Sequence, residues 1–591
     1  MLTEGVMTRR WNIEHALYTL AFLLAVGVRL FMLGAAPLTD HEASWALQAL
    51  SVARGEAISL GSQPLYPLLT GLLFFLFDST NFLARILPAL TGAAMVLLPL
   101  AYRRRLGQHA SIILAFALAL DPGLLAMSRS AGSPIPALAF CLAALTAVYT
   151  GRWLVAGILA GLALLSGPSI IYGGFTLALN WGAGYWLQKE KRMILGAGSE
   201  KPAWRTLLYG LVATLILAGT LLLRVPQGLG ALGATIPAYF EGWAASSGVP
   251  ALRLPAALLV YQPLAVLFGL LGMLRAWRDP GEQSGFVKIM GLWAGAALLL
   301  AMVYPSRQTG DLVWVIVPLW AIAAYGLAGQ FTTSVEKPVK FVSTAQAILI
   351  ILMLAFAWLM LASLGHAKAV ITPEIQRNVL VLIVGAFLMT GLTSTLVALG
   401  WSWEVSRQGL LLGLTSSLVI WMVPGMVSST GLRAGAEQEL WEQSPHTFQA
   451  DLMLSTLGDL SAWQTGHRHT IDIAVIVEAP SLQWALRDYP NARYSSLLAG
   501  GEMPTAIISY LGQETPALTA SYRGQDFSWQ VYPAWQGALP PNLPQWLAFR
   551  SAPVQHSKII LWARADIFPD GSQVTQGLEI PLEDFPSSSN E

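Results

Sequence analysis

The chain has 591 residues, of which 55% are hydrophobic and only 11% are charged, whereas soluble globular domains carry about 25% charged residues. So few charges cannot coat a particle surrounded by water, and we therefore expect lipid to cover much of the surface. The net charge of +1 argues against a nucleic-acid-binding protein, which needs a concentrated basic face. The single cysteine, Cys141, excludes an intrachain disulfide and a thiolate metal cluster.

Apolar segments recur along the chain, and runs of roughly 17 to 24 residues are long enough to cross the hydrocarbon core as helices. The first run, residues 15–33, is too long for the core of a cleavable signal peptide, so we predict that it is the first crossing. We predict about thirteen crossings, at residues 15–33, 84–101, 110–127, 134–150, 154–167, 169–187, 206–224, 253–274, 286–303, 312–328, 343–363, 378–399 and 408–426.

The shorter apolar segment at residues 64–78 decides the orientation. It has two prolines near its start, and segments of this length often lie at the membrane interface. If it is interfacial, the arginine cluster at 103–105 lies on the same side as Arg9 and Arg10, as does the basic loop at 189–205. Positive charge in short loops marks the cytosol, so we predict a multi-pass cell-membrane protein with a cytosolic N-terminus.

The remaining loops then lie on the extracytoplasmic side, where few lysines and arginines are expected. They are the outer loop 34–83 with its interfacial helices, the turn at 128–133, the loops at 225–252, 304–311 and 364–377, and everything after about residue 427. This sidedness determines which residues can act together, because only residues at the same interface can share a site.

The composition changes after Met426, where long apolar runs stop and mixed charge, Pro, Gln and Asn begin. We predict that residues 1–426 form a transmembrane domain and residues 427–591 an extracytoplasmic soluble α/β domain, whose tail from Pro581 is disordered. The fold class is thus a polytopic α-helical membrane protein with a C-terminal α/β domain. Strands are expected at 471–477, 506–510, 528–535 and 558–567, and helices near 447–463 and 480–488.

Two carboxylates and a histidine, Asp40, His41 and Glu42, stand together soon after the first crossing. The residues that follow have the spacing of an amphipathic helix, which would place Asp40 near the helix N-cap. One interpretation is structural: Asp40 caps the helix and Glu42 interacts favourably with the helix dipole. The other is chemical, since a carboxylate at the membrane surface can act as general base toward an acceptor hydroxyl. Both interpretations can hold, for different residues.

The order of several features resembles a known superfamily. The acidic residues are followed by a short helix ending in Arg54-Gly55-Glu56, a proline–aromatic step at 63–67, the segment 82–90 and a basic turn. This order is similar to that of GT-C glycosyltransferases, in particular the branch with protein O-mannosyltransferases and aminoarabinose transferases, over roughly residues 15–330. The resemblance implies a polyprenyl-phosphate-linked sugar as donor and transfer on the extracytoplasmic side.

The resemblance also implies roles for particular residues. The catalytic acid group of the family lies in the first outer loop, which maps onto Asp40 and Glu42. The family usually has adjacent Asp-Glu, whereas this chain has His41 before Glu42 and Asp40 one residue earlier. Either carboxylate could therefore be the base, and Asp40 is the preferred candidate, with His41 as a substrate contact.

The second outer loop departs from the family pattern, which commonly has Ser-Arg followed closely by Asp. Here Ser128-Arg129 is followed by Ser130-Ala131-Gly132-Ser133-Pro134, without that acid, and Asp121 lies about two turns before Arg129. A guanidinium can bind phosphate in a bidentate manner and stabilise the departing group. We therefore predict that Arg129 and Arg307, with Tyr304 beside it, bind substrate. Each arginine could instead contact lipid headgroups, and Arg85, which begins a crossing, is expected to extend toward the interface.

We predict no metal and no cofactor. His467 and His469 have no evident third ligand for zinc, and two nearby carboxylates alone rarely hold a hard cation. The chain also has no phosphate-binding loop and no glycine-rich nucleotide fingerprint.

The predicted function is that of a membrane glycosyltransferase, a hexosyl or pentosyl transferase that moves sugar from a polyprenyl-phosphate donor to a hydroxyl of a glycan, lipid or protein. A first alternative is an inactive GT-C-like protein that binds lipid-linked sugars or assists glycan export, which the missing acid after Arg129 favours. A second alternative is a secondary transporter, against which the crossings contain few ionisable residues.

Overall fold

The computed structural model describes residues 2–57, 59–187, 203–279, 281–331, 337–366, 372–430, 439–441, 445–498, 502–512 and 520–568. Two predicted features lie outside these residues: most of the basic loop at 189–205, including Lys189 and Lys201, and the disordered tail. The chain divides into two compact units. The first contains Met1–His446 and Tyr532–Gln555, and the second contains Thr447–Val531 and the chain from His556 onward. The predicted boundary after residue 426 differs from this division. The first unit continues to His446 and also includes the later segment Tyr532–Gln555.

The first unit is a bundle of helices. In chain order the helices of the whole chain are α1 (Leu2–Leu30), α2 (Asp40–Arg54), α3 (Leu65–Phe77), α4 (Asn81–Ala94), α5 (Arg103–Leu106), α6 (Gln108–Leu120), α7 (Pro122–Ser128), α8 (Ile135–Tyr149), α9 (Trp153–Leu165), α10 (Ser169–Leu187), α11 (Trp204–Leu217), α12 (Gln227–Glu241), α13 (Arg253–Tyr261), α14 (Pro263–Arg278), α15 (Glu282–Val303), α16 (Val313–Phe331), α17 (Lys337–Leu364), α18 (Pro373–Gly400), α19 (Trp403–Ser429), α20 (Ala450–Thr465), α21 (Pro480–Ala485) and α22 (Leu543–Phe549). Short 3₁₀ helices at Met95–Leu100, Thr309–Leu312 and Ala565–Ile567 extend or precede these helices.

Within the described residues, seven helices are long and apolar enough to cross a membrane, or nine if each of two bent pairs is one crossing. Four further apolar helices are shorter: α3, α8, α9 and α11. Every predicted crossing overlaps a helix, and α3 coincides with the segment predicted to be interfacial. The predicted count of about thirteen crossings is not confirmed, but the polytopic α-helical fold with a C-terminal α/β domain is.

Glycines let pairs of these helices approach closely. A Cβ built at Gly157 on α9 would lie 2.0 Å from the carbonyl oxygen of Leu207 on α11, and one at Gly210 would lie 2.6 Å from that of Leu154. Gly272 on α14 faces α16 in the same way, 2.4 Å from the carbonyl oxygen of Ile322. Small residues at such crossings favour association in lipid, where packing replaces the hydrophobic driving force.

The two ends of the bundle are held by different polar groups. Near the middle of α1, Glu14 accepts a hydrogen bond at 3.0 Å from Gln108, the first residue of α6, and lies 3.1 Å from Arg103. Near the end of α1, Arg29 donates to the carbonyl oxygens of Leu118 and Ala119, at 3.0 and 2.9 Å. The cluster at 103–105 and the end of α6 therefore belong to opposite ends of the bundle.

Two predicted crossings are bent rather than straight. The pair α6–α7 bends by 51° and the pair α13–α14 by 94°. Pro122 and Pro263 each begin the second helix of the pair, and the residue before a proline is driven away from helical geometry. Asp121 joins the two bends, because its carboxylate accepts from Gln262 at 3.3 Å as well as from the indole of Trp320 at 2.7 Å.

The second unit contains a six-stranded mixed sheet. Its order is β1-β5-β6-β4-β2-β3, where the strands are β1 (His446–Thr447), β2 (Ile473–Val475), β3 (Ala492–Tyr494), β4 (Ala506–Tyr510), β5 (Tyr522–Pro533) and β6 (Val554–Arg564). Strand β2 pairs in parallel with β3 and β4, whereas β4 and β6 are antiparallel. Met453 and Leu457 of α20 pack with the sheet in a buried core. The predicted strands and helices of this domain are confirmed, while β1 and β3 were too short to predict.

We expect the substitution Asp121→Leu to destabilise the membrane unit by about 2–4 kcal/mol, because it leaves the buried donors of Trp320 and Leu124 without an acceptor. Asp121→Asn keeps a side-chain oxygen and should cost clearly less. Thermal unfolding of the detergent-purified protein measures both effects. Equal midpoints for the two variants would contradict a hydrogen-bonding role for Asp121.

Candidate functional site

The first outer loop leads into α2 through a capping box. Thr39 is the N-cap residue, and its hydroxyl accepts from the backbone N–H of Glu42 at 3.4 Å, while the Glu42 carboxylate accepts from the N–H of Thr39 at 3.1 Å. Such a reciprocal pair satisfies two donors that a helix start otherwise leaves open. Asp40 lies next to the N-cap, as predicted, but it is the first residue of the helix, so Thr39 and not Asp40 caps α2.

The Glu42 carboxylate is also half of a buried ion pair with Arg85. Arg85 on α4 donates from Nε and from one terminal nitrogen to the two carboxylate oxygens, at 2.7 Å each. Its terminal nitrogens also donate to carbonyl oxygens of the loop at 33–37, at 2.8 to 3.1 Å. The backbone N–H of Ala131 donates to Glu42 at 3.0 Å. The expectation that Arg85 extends toward the membrane interface is wrong, because Arg85 is buried and Glu42 provides its partner.

This environment decides the ionisation of Glu42. Burial alone would raise the pKa of its carboxyl, but the Arg85 guanidinium and the N–H donors of Ala131 and Thr39 outweigh burial, so the pKa is lowered. A carboxylate with a lowered pKa and both oxygens occupied is a weak base at neutral pH. The structural interpretation therefore fits Glu42 better than the chemical one.

Arg129 follows α7 and contacts the end of α1. One of its terminal nitrogens donates to the carbonyl oxygens of Val28, Arg29 and Phe31, at 2.8 to 3.0 Å. The last carbonyls of a helix have no partner within the helix, and a cation there is favourable. Burial, and secondarily the charge of Arg85, lower the pKa of Arg129 to about 10, so it stays cationic at neutral pH.

A cavity of about 190 Å³ lies where these segments meet. Its wall includes His41, Glu42, Arg85 and Arg129, and on the other side residues 428–430 at the end of α19. This volume is below the range of roughly 300–1,000 Å³ that is usual for ligand sites, so the cavity can enclose only part of a ligand. Asp40, at the first position of α2, is not part of the wall.

Two histidines, His446 and His41, are part of this wall, and His41 stands next to Glu42 at the start of α2. Burial lowers the pKa of its imidazole, and the charge of Glu42 offsets part of that effect. Since the ordinary value is about 6.5, the ring is neutral at pH 7 and can accept a proton.

Tyr304 and Arg307 were predicted to contact substrate, but they are not in the wall of this cavity. They contact the segment that contains Tyr239 and Val249. The ring of Tyr304 stacks on Tyr239 at a centroid distance of 5.2 Å, and Arg307 donates to the carbonyl oxygen of Val249 at 3.0 Å. Burial, and secondarily the charge of Asp311, raise the pKa of Tyr304 to about 12, so its hydroxyl is protonated. Their predicted binding role stays a prediction.

Sequence reasoning missed the residues that the chain contributes after α19. Glu439 is part of the cavity wall, accepts from the hydroxyl of Tyr261, and lies 3.7 Å from Nε of Arg550. The Arg550 guanidinium stands over the ring of Trp546 at 4.6 Å. Nothing local in the sequence indicates this pairing, because its partners are far apart in the chain. Among the described residues, no group of three or more His, Cys, Asp or Glu could hold a metal ion.

No family model matches the chain, and no curated protein matches its sequence. The structure is similar to solved structures of ArnT from Cupriavidus metallidurans. The form bound to undecaprenyl phosphate matches with 15% identity over 79% of this chain and 84% of that chain, at a TM-score of 0.47. The apo form matches with 15% identity over 81% and 85%, also at 0.47.

The oligosaccharyltransferase of Archaeoglobus fulgidus, in complex with zinc and sulfate, matches with 14% identity over 81% of this chain and 62% of that chain, at a TM-score of 0.32. These structures belong to the GT-C group that the sequence resembles. TM-scores below 0.5 assign no reaction, donor or site residue to this chain, so its function has to be argued from its own residues.

We expect Glu42→Ala and Arg85→Met each to destabilise the protein by roughly 3–5 kcal/mol, because each leaves one buried charge without its partner. The double variant should lose clearly less than the sum of the two. Unfolding of the purified variants measures this coupling.

The exposed pair Arg468–Asp459, at 3.0 Å, provides the matched control, and its coupling should be much smaller. Additive losses at Glu42 and Arg85 would show that the ion pair does not hold the loop and the two helices together.

Proposed function

We propose that this protein is a membrane glycosyltransferase that moves a sugar from a polyprenyl-phosphate donor to an acceptor hydroxyl on the extracytoplasmic side. The observation that carries the proposal is that a neutral imidazole, His41, and a cationic guanidinium, Arg129, line one cavity at the end of the bundle opposite the 103–105 cluster. The transfer of a sugar from a phosphate needs both groups: a proton acceptor for the hydroxyl and a positive charge for the leaving phosphate.

The proposed reaction is a single displacement at the anomeric carbon. The acceptor oxygen forms a bond to this carbon while the bond between the carbon and the phosphate oxygen breaks, which inverts the configuration. The hydroxyl proton goes to the imidazole of His41, and the phosphate leaves with the bonding electron pair. The charge of Arg129 stabilises that developing charge, so a separate strong acid is not required.

The base proposed from the sequence is thereby reassigned. Glu42 becomes a positioning residue, because its carboxylate is bound to Arg85 and two backbone donors. Asp40 is the second candidate for the base. Its charge acts on the phenol of Tyr532, whose pKa is raised by burial first and by Asp40 second. We assign Asp40 the role of an acidic neighbour that can orient the acceptor.

A binding protein without turnover is the second candidate function. Arg129 uses one terminal nitrogen for the end of α1, and the described turn after it has no carboxylate. Both features would leave a site that holds a lipid phosphate but orients an acceptor poorly. This candidate predicts donor binding that is separable from transfer.

Transfer is tested with proteoliposomes, a radiolabelled hexose on undecaprenyl phosphate, and a membrane extract of the source cells as acceptor. Loss of a general base typically costs 10²–10⁴-fold, so His41→Gln should lower the rate at least about 100-fold. His109→Gln, a matched control at an exposed histidine, should leave the rate unchanged. Full activity of the His41→Gln protein would refute the proposed base. Saturable donor binding by the wild type without any transfer would favour the binding protein.

The dependence of kcat/KM on pH distinguishes His41 from Asp40. A histidine base with a lowered pKa gives an acid limb below about pH 6.5, since protonation of the ring abolishes activity there. The variant His41→Asp should move this limb down by about two units. An acid limb that His41→Asp does not move, but that Asp40→Asn abolishes, would assign the base to Asp40.

A further inference from the structure

A larger cavity lies in the other half of the bundle, away from His41. Its volume is about 450 Å³, within the range of roughly 300–1,000 Å³ that is usual for ligand sites. The wall is formed by the 3₁₀ helix after α4, by α5, α6, α8 and α10, by the first half of α15 and by α16. It is mostly apolar, with leucines of α6 and α8 on one side and Phe286 and Met290 on the other. The proposed transfer reaction does not use this cavity.

One end of the cavity carries a positive charge. Arg105 is part of the wall, and its guanidinium lies 5.6 Å from the ring centre of Tyr149. Tyr102 stacks between Tyr149 and Phe286, at 5.1 and 5.9 Å. The cluster at 103–105 is the end of the bundle that the charge pattern assigns to the cytosol. The cavity thus combines an apolar interior with a cation at the cytosolic end.

Two buried polar atoms in the wall have no hydrogen-bond partner among the described residues. They are Oδ1 of Asn180, in a residue that is 6% exposed, and Nε1 of Trp293, in a residue that is 3% exposed. One is an acceptor and the other a donor. Buried polar atoms without partners are costly, and within the membrane bulk water does not relieve the cost. A polar group of an occupant, or water that it carries, would satisfy them.

The mouth of the cavity opens to the side. Two of its wall residues, Leu145 and Trp181, are 42% and 55% exposed, and both lie on apolar helices, α8 and α10. A ligand can therefore enter from the bilayer.

We propose that this cavity binds an anionic phospholipid of the cytosolic leaflet. One acyl chain fills the apolar interior, and the phosphate lies at Arg105. An ester carbonyl of the lipid can accept from Trp293, and accompanying water can donate to Asn180. The charge of Arg105 selects an anionic over a zwitterionic headgroup, as cations near the cytosolic surface attract anionic lipid.

The test measures lipid retention by native mass spectrometry of the full-length, delipidated protein, titrated with phosphatidylglycerol or phosphatidylcholine. The wild type should bind one phosphatidylglycerol in preference to phosphatidylcholine. Arg105→Gln should lower the affinity for phosphatidylglycerol about tenfold, as expected for loss of one charge-assisted contact, and should abolish the preference. Arg104 is the exposed neighbour of Arg105 and lies outside the cavity wall. Arg104→Gln is therefore the matched control, and it should retain the affinity for phosphatidylglycerol and the preference over phosphatidylcholine.

A second pair of variants tests occupation of the interior. Ala178 lies at the cavity wall, whereas its neighbour Leu179 is exposed and outside that wall. Ala178→Trp should reduce the binding of both lipids, while Leu179→Trp should not. Glycerol 3-phosphate, which has the headgroup phosphate without chains, should not compete.

If Arg105→Gln and Arg104→Gln lowered the affinity for phosphatidylglycerol equally, general surface charge would explain the binding, and the proposal would be overturned. Unchanged binding by Ala178→Trp would also overturn it, as would full competition by glycerol 3-phosphate, which would indicate a site for free phosphate.

Discussion

The ion pair between Glu42 and Arg85 is the contact on which the proposed site depends. Its two side chains are buried, and their hydrogen bonds reach the loop at 33–37, the start of α2, α4 and the turn at Ala131. A buried ion pair contributes little net stability when it is compared with an apolar replacement. The ion pair contributes to geometry, because each charge would be costly if unpaired, and the observed arrangement of the four segments pairs both. That arrangement places His41 in the cavity wall.

Helix ends in this protein are repeatedly closed by side chains from other helices. Arg129 covers the last carbonyls of α1, and Arg29 covers those of α6. Asp121 accepts from the first turn of α7. Helices that end inside a membrane protein leave backbone groups that water cannot reach. Charges that look like candidates for chemistry in the sequence can therefore serve the backbone instead, and the same residue can serve both when part of its surface remains in a cavity.

The sequence predicts the helices of the bundle well, although not the number of crossings, because the signal of each helix is local. Apolar length identifies each helix without knowledge of its neighbours, and the short apolar runs in the segments at 506–510 and 558–567 identify β4 and β6 in the same way. The bends at Asp121 and Gln262 were also foreseeable from the prolines that follow, although they were not predicted.

The roles of the site residues depend on partners far along the chain. Arg85 lies 43 positions after the carboxylate that it pairs with, so its helical context alone indicated a surface arginine. In the sequence Glu42 is a candidate base, but in the structure it forms an ion pair with Arg85. Residue composition alone does not distinguish these two roles of a carboxylate. The contributions of Glu439 and Arg550 come from segments that the sequence assigned to the soluble domain. The roles of all these residues are determined by contacts between distant parts of the chain, and not by local structural propensity.

The reciprocal caps of Arg29 and Arg129 restrict how the proposed site can move. Arg29 belongs to the last turns of α1 and donates to α6, while Arg129 follows α7 and donates to the end of α1, so hydrogen bonds connect the three helices. A long lipid-linked donor cannot enter a space of 190 Å³ unless one wall gives way. The wall at residues 428–430 and 439–441 is itself held, because the backbone N–H of Leu440 donates to the hydroxyl of Tyr261 and Trp441 packs at Gly123 of α7. A lipid-linked donor would therefore lie mostly outside the cavity, with only its head group at the wall.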